Sequence, residues 1–327
     1  MSDDRATRLP DSRVQPRFAG VCSFGRWPVL GEDGPCDWAV LGVPFDGGVT
    51  YRPGCRFGPR AIREQSQYLK HYSIEHSIDV PGSLRLADAG DAPVRPFDVE
   101  QTLTSVRVHA ASLADRAERL LMLGGDHSIA FAGMMHAWER SGRPAGGLAC
   151  IHFDSHLDTI DTVWGEQWNH ATPFRRLIEA GALDPKRMIS LGIKGPLNSA
   201  DDLEYARDHG IEILGHDASL ARGPDRLREF VSRLAGGPVY LSFDIDCIDP
   251  AYAPGTGTPC VGGFTSAEAL MLIRACAGAN IVGADVVEVL PDRDVAGNTA
   301  LLAAHVAFEI LACDAVRRRD KRDSGPA

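Results

Sequence analysis

The constraint that most narrows the fold is an alternation. Short runs rich in apolar, β-forming residues recur at 38–44, 119–123, 148–153, 187–192, 211–214, 238–243 and 281–287, with a weaker one at 84–88. Between them, helical patterns are predicted over 59–70, 103–117, 171–180, 200–208, 225–234, 266–277 and 297–318, and another after Ser128. Strands that are apolar on both faces and joined through helices form a parallel sheet covered on both sides. The predicted fold is therefore a single three-layer α/β/α domain with a mainly parallel sheet. In such a sheet, ligands bind beyond the carboxyl ends of the strands.

Acids and histidines collect at those ends. The run Leu148–Phe153 leads into Asp154-Ser155-His156-Leu157-Asp158, where three potential metal ligands alternate. Residues two apart in extended backbone share a face, so the three can aim at one volume. The next run ends in Phe243-Asp244-Ile245-Asp246, the run at 119–123 leads into Gly124-Gly125-Asp126-His127-Ser128, and Val286-Val287 leads into Glu288. Each taken alone has a plainer account: a solvated loop acid, a helix cap, a structural histidine. Taken together, they place like charges close enough that a cation or proton has to compensate. Four Asp and two His, without thiolate, suit Mn²⁺ or a similar divalent ion better than structural zinc. So many carboxylates point to two bridged ions, which lower the pKa of water enough to give hydroxide near neutral pH.

Composition limits the partners. A formal net charge of −10 and a pI near 5.5 disfavour a nonspecific nucleic-acid binder and suit a small-molecule substrate. The eight cysteines contain no Cys-x-x-Cys pair and several sit in apolar runs, so reduced, structural thiols and a cytoplasmic location are expected. The segment before Pro16 is polar, and no uninterrupted apolar run of about 18 residues occurs, so neither export nor membrane insertion is expected. The 327 residues divide into an N-terminal arm (1–20), one domain (21–318) and a flexible tail (319–327).

The strand-end motifs also carry a resemblance. Gly124-Gly125-Asp126-His127-Ser128, Asp154-Ser155-His156-Leu157-Asp158 and Ser242-Phe243-Asp244-Ile245-Asp246-Cys247-Ile248-Asp249-Pro250 resemble the three metal motifs of the ureohydrolases, the arginase and agmatinase family. Gly42-Val43-Pro44-Phe45-Asp46 and Arg52-Pro53-Gly54-Cys55-Arg56-Phe57-Gly58-Pro59-Arg60 are similar to its agmatinase and guanidino-acid hydrolase branch. The resemblance implies an arginase-like fold and two divalent ions, Mn²⁺ foremost, with Ni²⁺ accepted by the same ligands. His127, Asp154, Asp158 and Asp244 would hold one ion; His156, Asp154, Asp244 and Asp246 would hold the other. Asp158 would also orient the attacking hydroxide, Glu288 would grip the substrate guanidinium, and His170 would pass a proton to the leaving amine. The implied reaction cleaves a C–N bond of agmatine, 4-guanidinobutanoate or 3-guanidinopropanoate, releasing urea and an amine. A trimer or hexamer is implied, of identical subunits or with a homologous subunit.

Two stretches depart from the family pattern. Asn169 and Ala171 flank His170 where glycine is usual, with Trp164 and Trp168 nearby, and Asp292-Arg293 follows Pro291 where small or aromatic residues are common. Both are expected to border the substrate pocket, which keeps guanidine or a biguanide-like substrate open. Two further alternatives are a non-catalytic partner subunit and a one-zinc amide hydrolase. All six ligands weigh against the first, and His156 with Asp246 against the second.

Overall fold

In the computed structural model, which describes residues 6–323, the alternation is realised as ten strands and nine α-helices among the described residues. The first half holds β1 (Cys36–Val43), α1 (Gly58–Ser66), the hairpin strands β2 (Tyr72–Ser73) and β3 (Ile78–Asp79), α2 (Val80–Ser83), β4 (Leu86–Asp91), α3 (Val99–Ser112), β5 (Ala117–Gly124), α4 (Ile129–Arg140) and β6 (Leu148–Phe153). The second holds α5 (Pro173–Glu179), β7 (Leu183–Ile193), α6 (Asp201–His209), β8 (Glu212–Gly215), α7 (His216–Arg233), β9 (Pro238–Asp244), α8 (Ser266–Arg274), β10 (Asn280–Val287) and α9 (Asn298–Asp323).

Eight strands form one sheet in the order β4-β1-β5-β10-β9-β6-β7-β8, and every neighbouring pair is parallel. Successive side chains along each strand serve opposite faces. Leu121, Leu123, Ile151, Leu241 and Val286 pack with Ile62 of α1, Leu272 of α8 and Ile310 of α9. Their neighbours Leu120, Met122, Cys150 and Tyr240 pack on the other face with Val106 of α3, Met134 of α4 and Leu177 of α5. Each such fully buried aliphatic side chain contributes about 1.5–3 kcal/mol, which is why the strands read as continuous apolar runs. All eight cysteines are free thiols.

The last helix is long and apolar enough to span a membrane by length and composition, yet 89% of that stretch is buried. It lies on the sheet between α1 and α8. Within it, the fully buried Asp314 accepts hydrogen bonds from Trp38 Nε1, Arg119 Nη1, Arg317 Nε and Arg318 Nε at 2.8–2.9 Å. Burial would raise this carboxyl, but the arginines outweigh it and hold it below its ordinary value.

Several predicted boundaries move. Residues 319–323 of the expected flexible tail continue α9, and the remainder of that tail lies outside the described residues, as do residues 1–5 of the arm. The rest of the arm is anchored: Thr7 N–H donates to Pro81 O, Thr7 Oγ1 to Leu84 O, and Arg17 Nη1 to Gln67 O and Leu69 O. The α7 helix starts nine residues before the predicted 225, at His216, and carries Pro224 inside it. Gly223-Pro224 breaks the sequence pattern, but burial of Ser219, Gly223, Leu227 and Phe230 along one face overrides it. Finally, β6 stops at Phe153, so Asp154, His156 and Asp158 lie in the turn beyond the strand.

Candidate active site

The four central strands β5, β10, β9 and β6 lie side by side and end level, with Leu123 opposite Val286, Val287 opposite Asp244, and Phe243 opposite Phe153. Every candidate ligand therefore enters from one rim. Glu288 leaves β10 in left-handed backbone (φ 64°), with its N–H donating to Gly125 O at 2.9 Å, and Asp158 is left-handed too (φ 52°). Such conformations cost non-glycine residues of order 1–3 kcal/mol and persist where the surroundings fix them. Gly125 is required for close approach: a Cβ there would lie 2.2 Å from Phe45 O.

His127 is fully buried, and its Nδ1 lies 3.1 Å from Asp154 Oδ2, 2.9 Å from Asp158 Oδ2 and 3.3 Å from Asp244 Oδ2 without forming a hydrogen bond. The tautomer follows from the far side of the ring. Ser242 Oγ donates to Asp285 Oδ1 (2.7 Å), so it accepts from His127 Nε2 (2.8 Å), which leaves the Nδ1 lone pair facing three carboxylate oxygens. A positive charge has to stand between them. In a second group, His156 Nδ1 lies 3.3 Å from Asp154 Oδ1 and 3.1 Å from Asp246 Oδ2. Asp154 spans both groups with its two oxygens, whereas Asp244 turns Oδ2 to His127 and accepts the Asp246 N–H on Oδ1 at 2.8 Å.

The electrostatics express the same crowding. Burial, then Asp246 and Asp154, push the Asp244 carboxyl well up, and burial with Asp154 raises Asp158. Asp154 resists its own burial because His127, His152 and His156 hold it well down. Imidazole and carboxylate donors at this spacing fit two divalent ions.

Several residues that support this cluster escape a reading for ligands. His152 Nε2 lies 3.0 Å from Asp154 Oδ2 and Nδ1 3.1 Å from Ser190 Oγ. It extends the alternation 154, 156, 158 backward by one step, a signal the sequence did contain. Thr258 Oγ1 donates to Asp246 Oδ2 (3.1 Å), and Lys194 Nζ donates to Ser155 Oγ and to the carbonyls of Asp246 (3.1 Å) and Cys247 (3.3 Å), tying the β6, β7 and β9 turns together.

Glu288 forms the other half of the site. Its Oε1 accepts from His127 N–H (2.8 Å) and lies 2.9 Å from His170 Nδ1, while Oε2 is buried without a partner. His170 Nδ1 donates to Glu288 Oε1, and Thr50 brings both Oγ1 (2.7 Å) and its N–H (3.0 Å) to Nε2. Burial opposes protonation of this ring, but Glu288, Asp158 and Asp126 push its pKa up to about 9. Both ring nitrogens are thus engaged within the protein. Asp126 anchors the same wall, accepting Gly48 N–H at 2.7 Å, and His170 N–H donates to Gly48 O at 3.0 Å.

Thr50, His156, Asp158, His170, Asp244 and Asp246 line a cavity of about 520 Å³ whose wall continues through Ile160, Val163, Trp164, Leu197, Asn198 and Asp202. Asn169, the first departure from the family pattern, closes the His170 turn: Oδ1 accepts Ala171 N–H (3.0 Å) and Nδ2 donates to Glu166 O (2.9 Å). Trp168 stacks edge-on against Phe131, and Trp164 stands 82% exposed. The second departure falls elsewhere than expected. Asp292 and Arg293 do not line the cavity, and the adjacent Asp294 instead caps α9 through the N–H groups of Thr299 and Ala300.

Residues 36–313 match the arginase family. The guanidinopropionase of Pseudomonas aeruginosa is 41% identical over 318 residues, covering 95% of this chain and 96% of that one. The structure of proclavaminate amidino hydrolase from Streptomyces clavuligerus superposes with a TM-score of 0.87 at 37% identity, over 93% of this chain and all of that one (100%). A hypothetical agmatinase from Burkholderia thailandensis gives 0.84 at 34% identity, covering 99% and 97%. Similarity of this extent reaches well beyond the fold. The chain belongs to the arginase family, in its agmatinase and guanidino-acid hydrolase branch, as a hydrolase of non-peptide C–N bonds in linear amidines.

Proposed function

We propose that the chain holds two divalent ions, Mn²⁺ foremost and Ni²⁺ as the alternative, and hydrolyses a small guanidino compound to urea and an amine. The observation that carries this reading is Asp154, whose two oxygens face the two separate imidazole-carboxylate groups. His127, Asp154, Asp158 and Asp244 would hold one ion, and His156, Asp154, Asp244 and Asp246 the other. Bound there, the pair would supply hydroxide at neutral pH and polarise the reacting carbon. The residues do the rest. Glu288 Oε2 accepts the guanidinium N–H groups, since an ionised carboxylate and a planar guanidinium pair strongly. His170 positions Glu288 by donating to Oε1. Asp158, beside His127 on the cavity wall, orients the attacking oxygen. Proton transfer by His170 to the leaving amine uses the protonated ring, whose Nε2–H would turn from Thr50 Oγ1 to the substrate.

The substrate tail is read from the wall. Asp202 and Asn198 line the cavity, and no Lys or Arg does so among the described residues. That lining favours a cationic or neutral tail, as in agmatine, over the carboxylates of 4-guanidinobutanoate and 3-guanidinopropanoate. Assembly into a trimer or hexamer in the cytoplasm belongs to the same reading. The test is urea release from these three compounds, guanidine and a biguanide, with metal content measured on the same preparation. We expect about two ions per chain and a kcat/KM for agmatine about tenfold above either acid. Faster turnover of an acid sinks the tail assignment, and a fully loaded protein that releases no urea from any of them sinks the substrate class.

A further inference from the structure

At the amino-terminal end of the sheet, opposite the active site, a second cavity of about 400 Å³ gathers positive charge. Arg85, Arg317, Arg318, Lys321 and Arg322 line it, against one carboxylate, Asp37. In a chain of net charge −10, this sign is local.

The one carboxylate lining the cavity is already committed, as are Asp314 and Glu118, which pair with the same arginines. Asp37 accepts from Arg318 Nη1 (2.8 Å) and from the Arg85 backbone N–H (2.7 Å). Asp314 carries the four bonds described above, and Glu118 accepts from Arg119 and Arg318. What remains faces the cavity. The Arg317 side chain is only 9% exposed; its Nε holds Asp314, and its two terminal nitrogens have no partner among the described residues. The Arg85 guanidinium has none either, and its Nε is buried. Lys321 and Arg322 form no ion pair among the described residues.

Cations at the end of α9 have an ordinary explanation in the helix dipole, but that amounts to about half a charge. Three cationic groups without an ion pair, Arg85, Lys321 and Arg322, together with the terminal nitrogens of Arg317, exceed it. Guanidinium forks match phosphate oxygens in pairs, and a lysine adds a point charge. The cavity volume falls in the range of small-molecule sites.

We propose that this cavity binds a small polyanion bearing two phosphate groups, held by Arg85, Arg317, Lys321 and Arg322. Calorimetric titration of the full-length, metal-loaded protein at fixed ionic strength tests it. Fructose 1,6-bisphosphate serves as the two-phosphate probe, with fructose 6-phosphate and sulfate as single-anion probes. The bisphosphate should bind at one saturable site per chain, about tenfold tighter than either single anion. Lys321→Glu combined with Arg322→Glu should weaken it by about tenfold or more while leaving urea release unchanged and lowering Tm by no more than a few degrees, because both side chains are exposed and only their interaction with the helix dipole is lost. Arg85→Gln, made separately, should weaken it as well. Equal affinity in wild type and both variants, or no saturable binding by any probe, overturns the proposal. Self-association that the double variant abolishes and the bisphosphate does not displace also overturns it, by assigning the cavity to a protein partner.

Discussion

Glu288→Gln is the most informative single change. In the native carboxylate, Oε1 receives His127 N–H and lies against His170 Nδ1, and Oε2 has no protein partner. A glutamine is isosteric, but its oxygen must stay with those two donors. Its NH₂ then takes the place of Oε2 and turns a donor toward the substrate guanidinium, itself only a donor. The change removes a charge-assisted hydrogen bond worth about 1.5–3 kcal/mol and adds a donor–donor contact. A loss near 3 kcal/mol is roughly a hundredfold in kcat/KM. The assay is urea release on the best guanidino substrate, with bound metal and Tm measured in parallel. Metal content should be unchanged, because Glu288 is outside the proposed ligand set, and Tm should hold because both internal bonds survive. Glu288→Ala should differ in kind: it strands the His127 N–H and the His170 ring, at about 1–3 kcal/mol for each unpartnered group, and should lower Tm by several degrees. Activity of Glu288→Gln within about fivefold of wild type, at full metal content, would refute the assignment of Oε2 as the guanidinium acceptor.

Two other outcomes test the scaffold. Gly125→Ala forces a Cβ to within 2.2 Å of Phe45 O and 2.6 Å of Val43 O, both backbone atoms, so a loss of roughly 3 kcal/mol is expected in urea unfolding, with reduced metal retention; an unchanged midpoint would show that the turn can move. His136 is 6% exposed, and burial, with Arg140 adding, drives its pKa down to about 4. The unfolded ring titrates near 6.5, so the unfolded state binds more protons between about pH 4 and 6.5. This contribution to stability is complete above about pH 6.5 and falls as pH drops through that window, by up to about 2 kcal/mol at pH 5. His136→Gln should flatten the difference between pH 7 and pH 5 in urea unfolding, and an identical slope in both proteins would rule the ring out.

What the sequence made legible was the part governed by local pattern. Apolar runs marked the strands because both sheet faces are buried, and Asp154, His156, Asp158, Asp244, Asp246, His127 and Glu288 each follow such a run directly. Asp154 and Asp158 converge on His127, and His156 on Asp154, although the backbone there is a turn rather than a strand, with Asp158 left-handed. His152 stands one step back in the same alternation, against Asp154. Hidden were contacts between distant segments: Thr50 with His170 across 120 positions, Gly48 with Asp126 across 78, and Lys194 with Asp246 across 52. No periodicity encodes these, since each joins loops that only the sheet order brings together. The same holds for the basic cavity, where Arg85 meets the end of a helix more than two hundred residues later.

The sheet order also sets a timetable. Among the described residues β10 is the last strand in chain order, yet it lies between β5 and β9 and is the only one paired with both. Until it inserts, the chain is two half-sheets, one carrying His127 and the other carrying Asp154, His156, Asp158, Asp244 and Asp246. A chain truncated before residue 280 therefore lacks the strand that sets His127 in register with the carboxylates of the proposed two-ion centre, while the packing of α4 against α5 and β9 joins the two halves.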